Sequence, residues 1–91
     1  MKFAIAWTLP AELSKAGIGR FLETGALPPK GVKMIGRWHS LDAAHGFIIA
    51  ESTDPKAVFA WVAEWTELVS FTVTPVLDDD DAAAVWKSIR K

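Results

Sequence analysis

The chain has no cysteine in its 91 residues. That absence excludes disulfides, thiolate metal sites and a cysteine nucleophile. A basic excess is missing too, since ten Lys and Arg stand against eleven Asp and Glu. A surface that tracks phosphates needs clustered cations, so a nucleic-acid partner is not expected. No apolar run approaches the roughly 20 residues of a membrane span. Met1 to Trp7 briefly looks like a signal peptide, but its apolar run stops at Thr8 and Pro10, and no cleavage-like segment follows. A soluble, cytoplasmic protein with no membrane partner is the expectation.

Several chemical signatures are also lacking. There is no phosphate-cradling glycine loop, nucleophile elbow or pair of general-acid carboxylates. Gly17-Ile18-Gly19 falls inside a helical pattern, where it favours close packing, and not between a strand and a helix. The run Asp78 to Asp81 lacks the alternate ligands and central glycine of a calcium loop, and fits helix capping. The two histidines, His39 and His45, have no carboxylates at metal-site spacing, so no metal is expected.

What the chain has in quantity is apolar surface. Its hydrophobic fraction is 51%, with five Trp and five Phe. That is more than one small domain of 91 residues easily hides, so a second surface should cover part of it. The expected organisation is one domain, residues 1–91.

Alternation predicts a first strand over 2–8, with Phe3, Ile5 and Trp7 on one side. Pro10 then opens a helix from about Ala11 to Thr24, striped by Leu13, Gly17, Ile18, Phe21 and Leu22, and Gly25 suits its left-handed end. After a stiff connector, residues 32–39 alternate as a strand. Val32, Met34, Gly36 and Trp38 should point one way, and Lys33, Ile35, Arg37 and His39 the other. A short loop to His45 joins this strand to the next, 46–51, as an antiparallel hairpin. Asp54-Pro55 starts a helix to about Thr66, with Val58, Trp61, Val62 and Trp65 inward and Phe59 widening the stripe. A fourth strand spans 68–76. A last helix opens on the aspartates and ends on Lys87, Arg90 and Lys91, with Ala82, Val85, Trp86 and Ile89 as its inner face.

The order is β-α-β-β-α-β-α, and its first six elements form the ferredoxin-like α+β arrangement around an antiparallel sheet. Two helices cover one sheet face. The other face is most simply covered by a second copy, in a symmetric homodimer.

At this level of detail the chain resembles a small family of uncharacterised bacterial proteins. The likeness is carried by Gly25-Ala26, Pro28-Pro29, Gly36-Arg37-Trp38-His39, Gly46-Phe47, Glu51, Asp54-Pro55, Trp61, Glu64-Trp65, Phe71 and Pro75 to Asp79. That family is similar to the dimeric α+β barrels, which include cofactor-independent monooxygenases, haem-degrading enzymes, lactone isomerases and stress-induced proteins. The resemblance implies that fold and a dimer, and it carries no established activity.

His39 is the best candidate for a reactive group, because imidazole exchanges protons near neutral pH. Against this stands an inert, hydrogen-bonded histidine at a strand end. Arg37 could clamp a carboxylate or enolate oxygen, or form a salt bridge to Glu51. Arg37, His39 and Glu51 share a face only if Arg37 pairs with Ile49, because a slip of one residue separates them. Trp7 and Trp38, near strand ends, are candidates to line a cavity mouth. Trp61 and Trp65 read as core filling, and His45 as a solvent-exposed loop residue.

Three functions fit these residues. One is a small-molecule site, without cofactor, for an aromatic or enolisable acid, with His39 and Arg37 catalytic and Trp7, Trp38 and Glu51 contacting the ligand. Another is a non-enzymatic dimeric binding or stress-related interaction module. The third is haem binding with His39 as axial ligand. An RNA-binding sheet is disfavoured, since no central strand carries an aromatic-basic pattern.

Overall fold

The strands arise from β-rich sequence, and two of the helices each start at a capping aspartate. In the computed structural model, which describes residues 1–90, β1 spans Lys2–Thr8, β2 Lys33–His39, β3 His45–Glu51 and β4 Ser70–Val76. They form one antiparallel sheet in the order β2-β3-β1-β4. A single 3-10 turn, Ala11–Leu13, leads into α1, Ser14–Thr24; α2 is Pro55–Ala63 and α3 is Asp79–Ile89. The fold is the ferredoxin-like α+β arrangement. No described helix is long and apolar enough to cross a membrane.

The caps are those the sequence calls for. The Asp54 carboxylate accepts the Lys56 amide at 3.0 Å and Pro55 fills the first turn of α2. Gly25 takes φ 74° beyond α1 and donates its amide to the Phe21 carbonyl at 2.7 Å. At the start of α3, Asp78 accepts the Asp81 amide at 2.9 Å. The aspartate run is therefore a helix start, and three acidic residues sit in the first turn, where the helix dipole favours them. Lys91, assigned to the basic end, lies outside the described residues.

The core sits between the sheet and α2. Phe3 and Ile5 of β1, Ile48 and Ala50 of β3, Val32, and Val58 and Trp61 of α2 are buried. Ser52 is the one buried polar residue among those described; its hydroxyl donates to the Gly31 carbonyl at 2.6 Å and accepts the Asp54 amide at 2.9 Å. That fixes the end of β3 to both neighbouring connectors.

Four expectations need correction. First, α2 stops at Ala63, and residues 64–68 form turns in which the Val69 amide reaches the Trp65 carbonyl at 2.9 Å, so β4 begins at Ser70, not Leu68. Second, Phe59 widens no buried stripe, because it faces solvent.

Third, β2 does not alternate throughout. Met34 pairs with Ala50 and Gly36 with Ile49, which leaves Ile35 as a bulge residue. One extra residue inverts every side chain after it. Arg37 therefore pairs with Ile48, and Arg37 and His39 face the helices together with Met34, while Gly36 and Trp38 turn to the open face. Fourth, α3 has no inner face within its own chain. It buries no residue, and Val85, Trp86 and Ile89 are all exposed.

Candidate functional site

β1 and β3 converge at the hairpin end of the sheet through the pairing of Trp7 with Gly46. The glycine is needed there: a Cβ at position 46 would run into the Trp7 indole. With that space free, the indole lies over β3 and forms one wall of a cavity between the sheet and the two helices. The cavity measures about 320 Å³, at the small end of organic-ligand sites. Its walls include Trp7, Phe21, Trp61, Trp65 and Phe71, and its polar lining consists of Arg37, His39, Ser40 and His45. Among the described residues no carboxylate side chain lines it.

His39 stands at the solvent-exposed rim. Its ring meets Trp7 edge-on, with centroids 5.3 Å apart at 73°, and lies tilted against Phe21 at 5.4 Å. Aromatic neighbours fix the ring without using its nitrogens. No hydrogen bond to the His39 ring occurs among the described residues, and the residue is exposed. His45 lies on the same rim and is exposed, 3.4 Å from the Asp42 carboxylate. Ser40 donates to that carboxylate and the Ala44 amide lies 3.0 Å from it. These bonds, led by that from Ser40, hold the Asp42 pKa down at about 2.

Arg37 is placed otherwise than an open anion clamp. Its two outer nitrogens donate to the carbonyls of Gly25 at 3.2 Å and Ala26 at 2.8 Å, just past the end of α1. The guanidinium carbon lies 5.3 Å from the Phe21 centroid. Arg37 thus brackets the end of α1 to β2 and holds Phe21 against His39. Its Nε–H is buried with no acceptor among the described residues, and partial burial lowers its pKa from the ordinary value. The group nevertheless stays charged.

The remaining candidates lie across the sheet. Trp38 stacks on Phe47 at 5.2 Å on the open face, where the two are 50% and 48% exposed. Glu51 pairs in register with Lys2 and Lys33, with Lys2 Nζ 3.7 Å away. The geometry therefore gathers Trp7, Arg37 and His39, and separates them from Trp38 and Glu51. The condition that would have united Arg37, His39 and Glu51, pairing of Arg37 with Ile49, is not met because of the Ile35 bulge.

Phe21, Trp65 and His45 also line the cavity, although the sequence does not mark them as site residues. Helical spacing did place Phe21 on the inner stripe of α1. Trp65 reaches the cavity from the turn after α2, under the Arg20 guanidinium at 5.2 Å. Arg20 also donates to the Glu64 carbonyl at 2.9 Å and pairs with Glu67, tying α1 to that turn. Among the described residues no group of three or more His, Asp or Glu is placed to hold a metal.

Comparison with solved structures supports the fold. A protein of Mycobacterium tuberculosis, Rv0793, superimposes with a TM-score of 0.51 at 18% identity, over 86% of this chain and 96% of its own. A "putative antibiotic biosynthesis monooxygenase" from Nitrosomonas europaea gives 0.51 at 12% identity, over 86% of this chain and all of its own. At such identities the likeness is one of architecture. No curated protein matches the chain significantly. The family model described as "Domain of unknown function (DUF3303)" matches residues 1–90, and the chain belongs to that family.

Proposed function

We propose that the chain is a homodimeric, cytoplasmic protein that binds a small organic molecule in the cavity between sheet and helices. The ligand is an aromatic or enolisable acid, transformed without a bound cofactor. The observation that carries this reading is the pairing of an apolar, carboxylate-free cavity with an imidazole held by aromatic rings at its mouth. Such walls accept a flat apolar body, and the missing carboxylates favour a neutral or anionic polar end. His39 takes or returns the ligand's proton. Trp7 is a wall, and Arg37 positions Phe21 against His39. Trp38 and Glu51 belong to the face that meets the second copy.

The test is a titration with hydroxyaromatic and 2-oxo acids, followed by tryptophan emission and melting temperature. Binding to wild type that is lost in Trp7→Ala, together with turnover lost in His39→Ala while the dimer survives, is the expected result. If no compound shifts either signal, the ligand reading fails.

A second reading, a non-enzymatic binding or interaction module, is favoured by one observation: the outer nitrogens of Arg37 are spent on Gly25 and Ala26. His39→Ala would then change stability alone. Haem added to the same titration separates a third case, because a Soret band that requires His39 would select haem as ligand.

A further inference from the structure

Among the described residues, α3 is the long helix that buries none of its own residues. Its apolar stripe of Val85, Trp86 and Ile89 is exposed, with Trp86 at 62%, yet the helix is well capped. Asp78 accepts the Asp81 amide and lies 3.5 Å from Lys2 Nζ, so the start of α3 is anchored at the first residue of β1. From there it leaves the body of the fold. The molecule measures 54 × 29 × 18 Å, and its radius of gyration of 15.4 Å exceeds the roughly 12 Å of a compact chain this long.

Area points the same way. The chain exposes 6607 Å², against about 5,200 Å² for a compact monomer of its mass. The excess, about 1,400 Å², is larger than the roughly 800 Å² each partner buries in a standard interface. The open sheet face, with Trp38 and Phe47 half exposed, and the exposed stripe of α3 both contribute to it.

Charge selects the occupant. Asp79, Asp80 and Asp81 lie at the start of α3, while Lys87 is in its last turn and Arg90 follows. A helix with its charges segregated end to end complements a copy of itself running the opposite way. Two-fold symmetry produces that arrangement. The acidic end disfavours an anionic lipid surface as the occupant.

We propose that α3 is a dimerisation arm: its Val85, Trp86 and Ile89 stripe is covered by a second copy of the chain, whose own α3 runs antiparallel beside it. This rests on the homodimer of the previous section and specifies how the copies engage. A sheet-to-sheet contact alone would leave α3 bare; the arm covers it and sets the two-fold relation between the protomers.

The experiment is sedimentation velocity on the full chain over a dilution series. Trp86→Asp should raise the dimer dissociation constant at least 30-fold with an unchanged far-UV spectrum. Leu41→Asp, in the exposed hairpin loop, should leave it as in wild type. The pair Lys87→Asp and Arg90→Asp should weaken the dimer about tenfold, and adding Asp79→Lys and Asp80→Lys in the same chain should restore most of that loss. A wild-type dimer that ignores Trp86→Asp overturns the arm and leaves the sheet-to-sheet dimer standing. Loss with Trp86→Asp but no rescue by the charge exchange overturns the antiparallel arrangement. A wild type that is monomeric at micromolar concentration overturns both the arm and the homodimer. Co-sedimentation with phosphatidylglycerol vesicles that requires Trp86 assigns the stripe to lipid and likewise overturns the proposal.

Discussion

The two faces of the sheet differ both in composition and in what covers them. On the helix side, Phe3, Ile5, Ile48 and Ala50 are sealed by Val58 and Trp61, and Ile5 is only 1% exposed. On the other side Trp38 stacks on Phe47 in the open, beside Ala4, Ala6 and Ile49. The first face is complete within one chain and keeps a cavity at its hairpin end. The second carries Trp38, Phe47 and Ile49 among Lys2, Lys33, Glu51, Thr72 and Thr74, and no described element of its own chain covers it. The lesson is that burial depends on a facing layer and not on the residues alone, so one sheet can supply both a core and an interface.

The sharpest way to break that contrast is a matched pair of truncations. Ile5→Ala should cost about 2–5 kcal/mol, the range for a large aliphatic removed from a packed core. Phe47→Ala should cost under about 1 kcal/mol at concentrations where the chain is single, because half its surface already meets water. Urea titrations at protein concentrations below the dimer dissociation constant compare the two; equal losses would show that the open face is not open.

Gly46→Ala probes the join between sealed core and cavity. The added methyl group must displace the Trp7 indole, and overpacking of this kind costs about 1–3 kcal/mol. Melting temperature should fall, and the Trp7–His39 contact should be lost from the aromatic ring-current shifts of His39. An unshifted His39 resonance would mean that Trp7 does not hold the ring.

A smaller effect is expected at Asp54→Ala, which removes the cap of the helix that seals the core. Its cost should be about 1 kcal/mol. Calorimetry on this variant and on one in the open face, such as Thr72→Ala, shows whether stability resides on the helix side.

The smallest effect concerns the rim. The Asp42 carboxyl titrates near 2 in the folded protein against its ordinary 3.8. Because the folded value is the lower one, the contribution is fully present above about pH 4 and disappears as pH falls from there towards 2. His45 and Ser40 should therefore loosen over that interval. Asp42→Asn should remove the transition, which amide exchange at Ala44 reports.

Strands, helices and caps were legible in the sequence because they depend on neighbours a few residues apart. The alternation of Phe3, Ile5 and Trp7, the Asp54-Pro55 start and Gly25 at a left-handed position all appear where local pattern put them. The site was legible in part: Trp7, Arg37 and His39 come together, whereas Trp38 and Glu51 do not. What hid this was the bulge at Ile35, since an apolar residue in a β-rich run gives no sign that its partner strand skips it. The partners of Arg37 were equally hidden, because backbone carbonyls at Gly25 and Ala26 have no side-chain signature.

The sequence alone determined the element order, the ferredoxin-like class and the need for cover over surplus apolar surface. Those follow from periodicity and composition, which act over short range or as sums. Tertiary structure alone decided which face Arg37 and His39 occupy, where the cavity opens, and that α3 stands clear of its own chain. Each of these turns on strand register or on the direction of a helix after its cap, and one inserted residue or one rotated connector reverses the outcome at no cost to the local pattern.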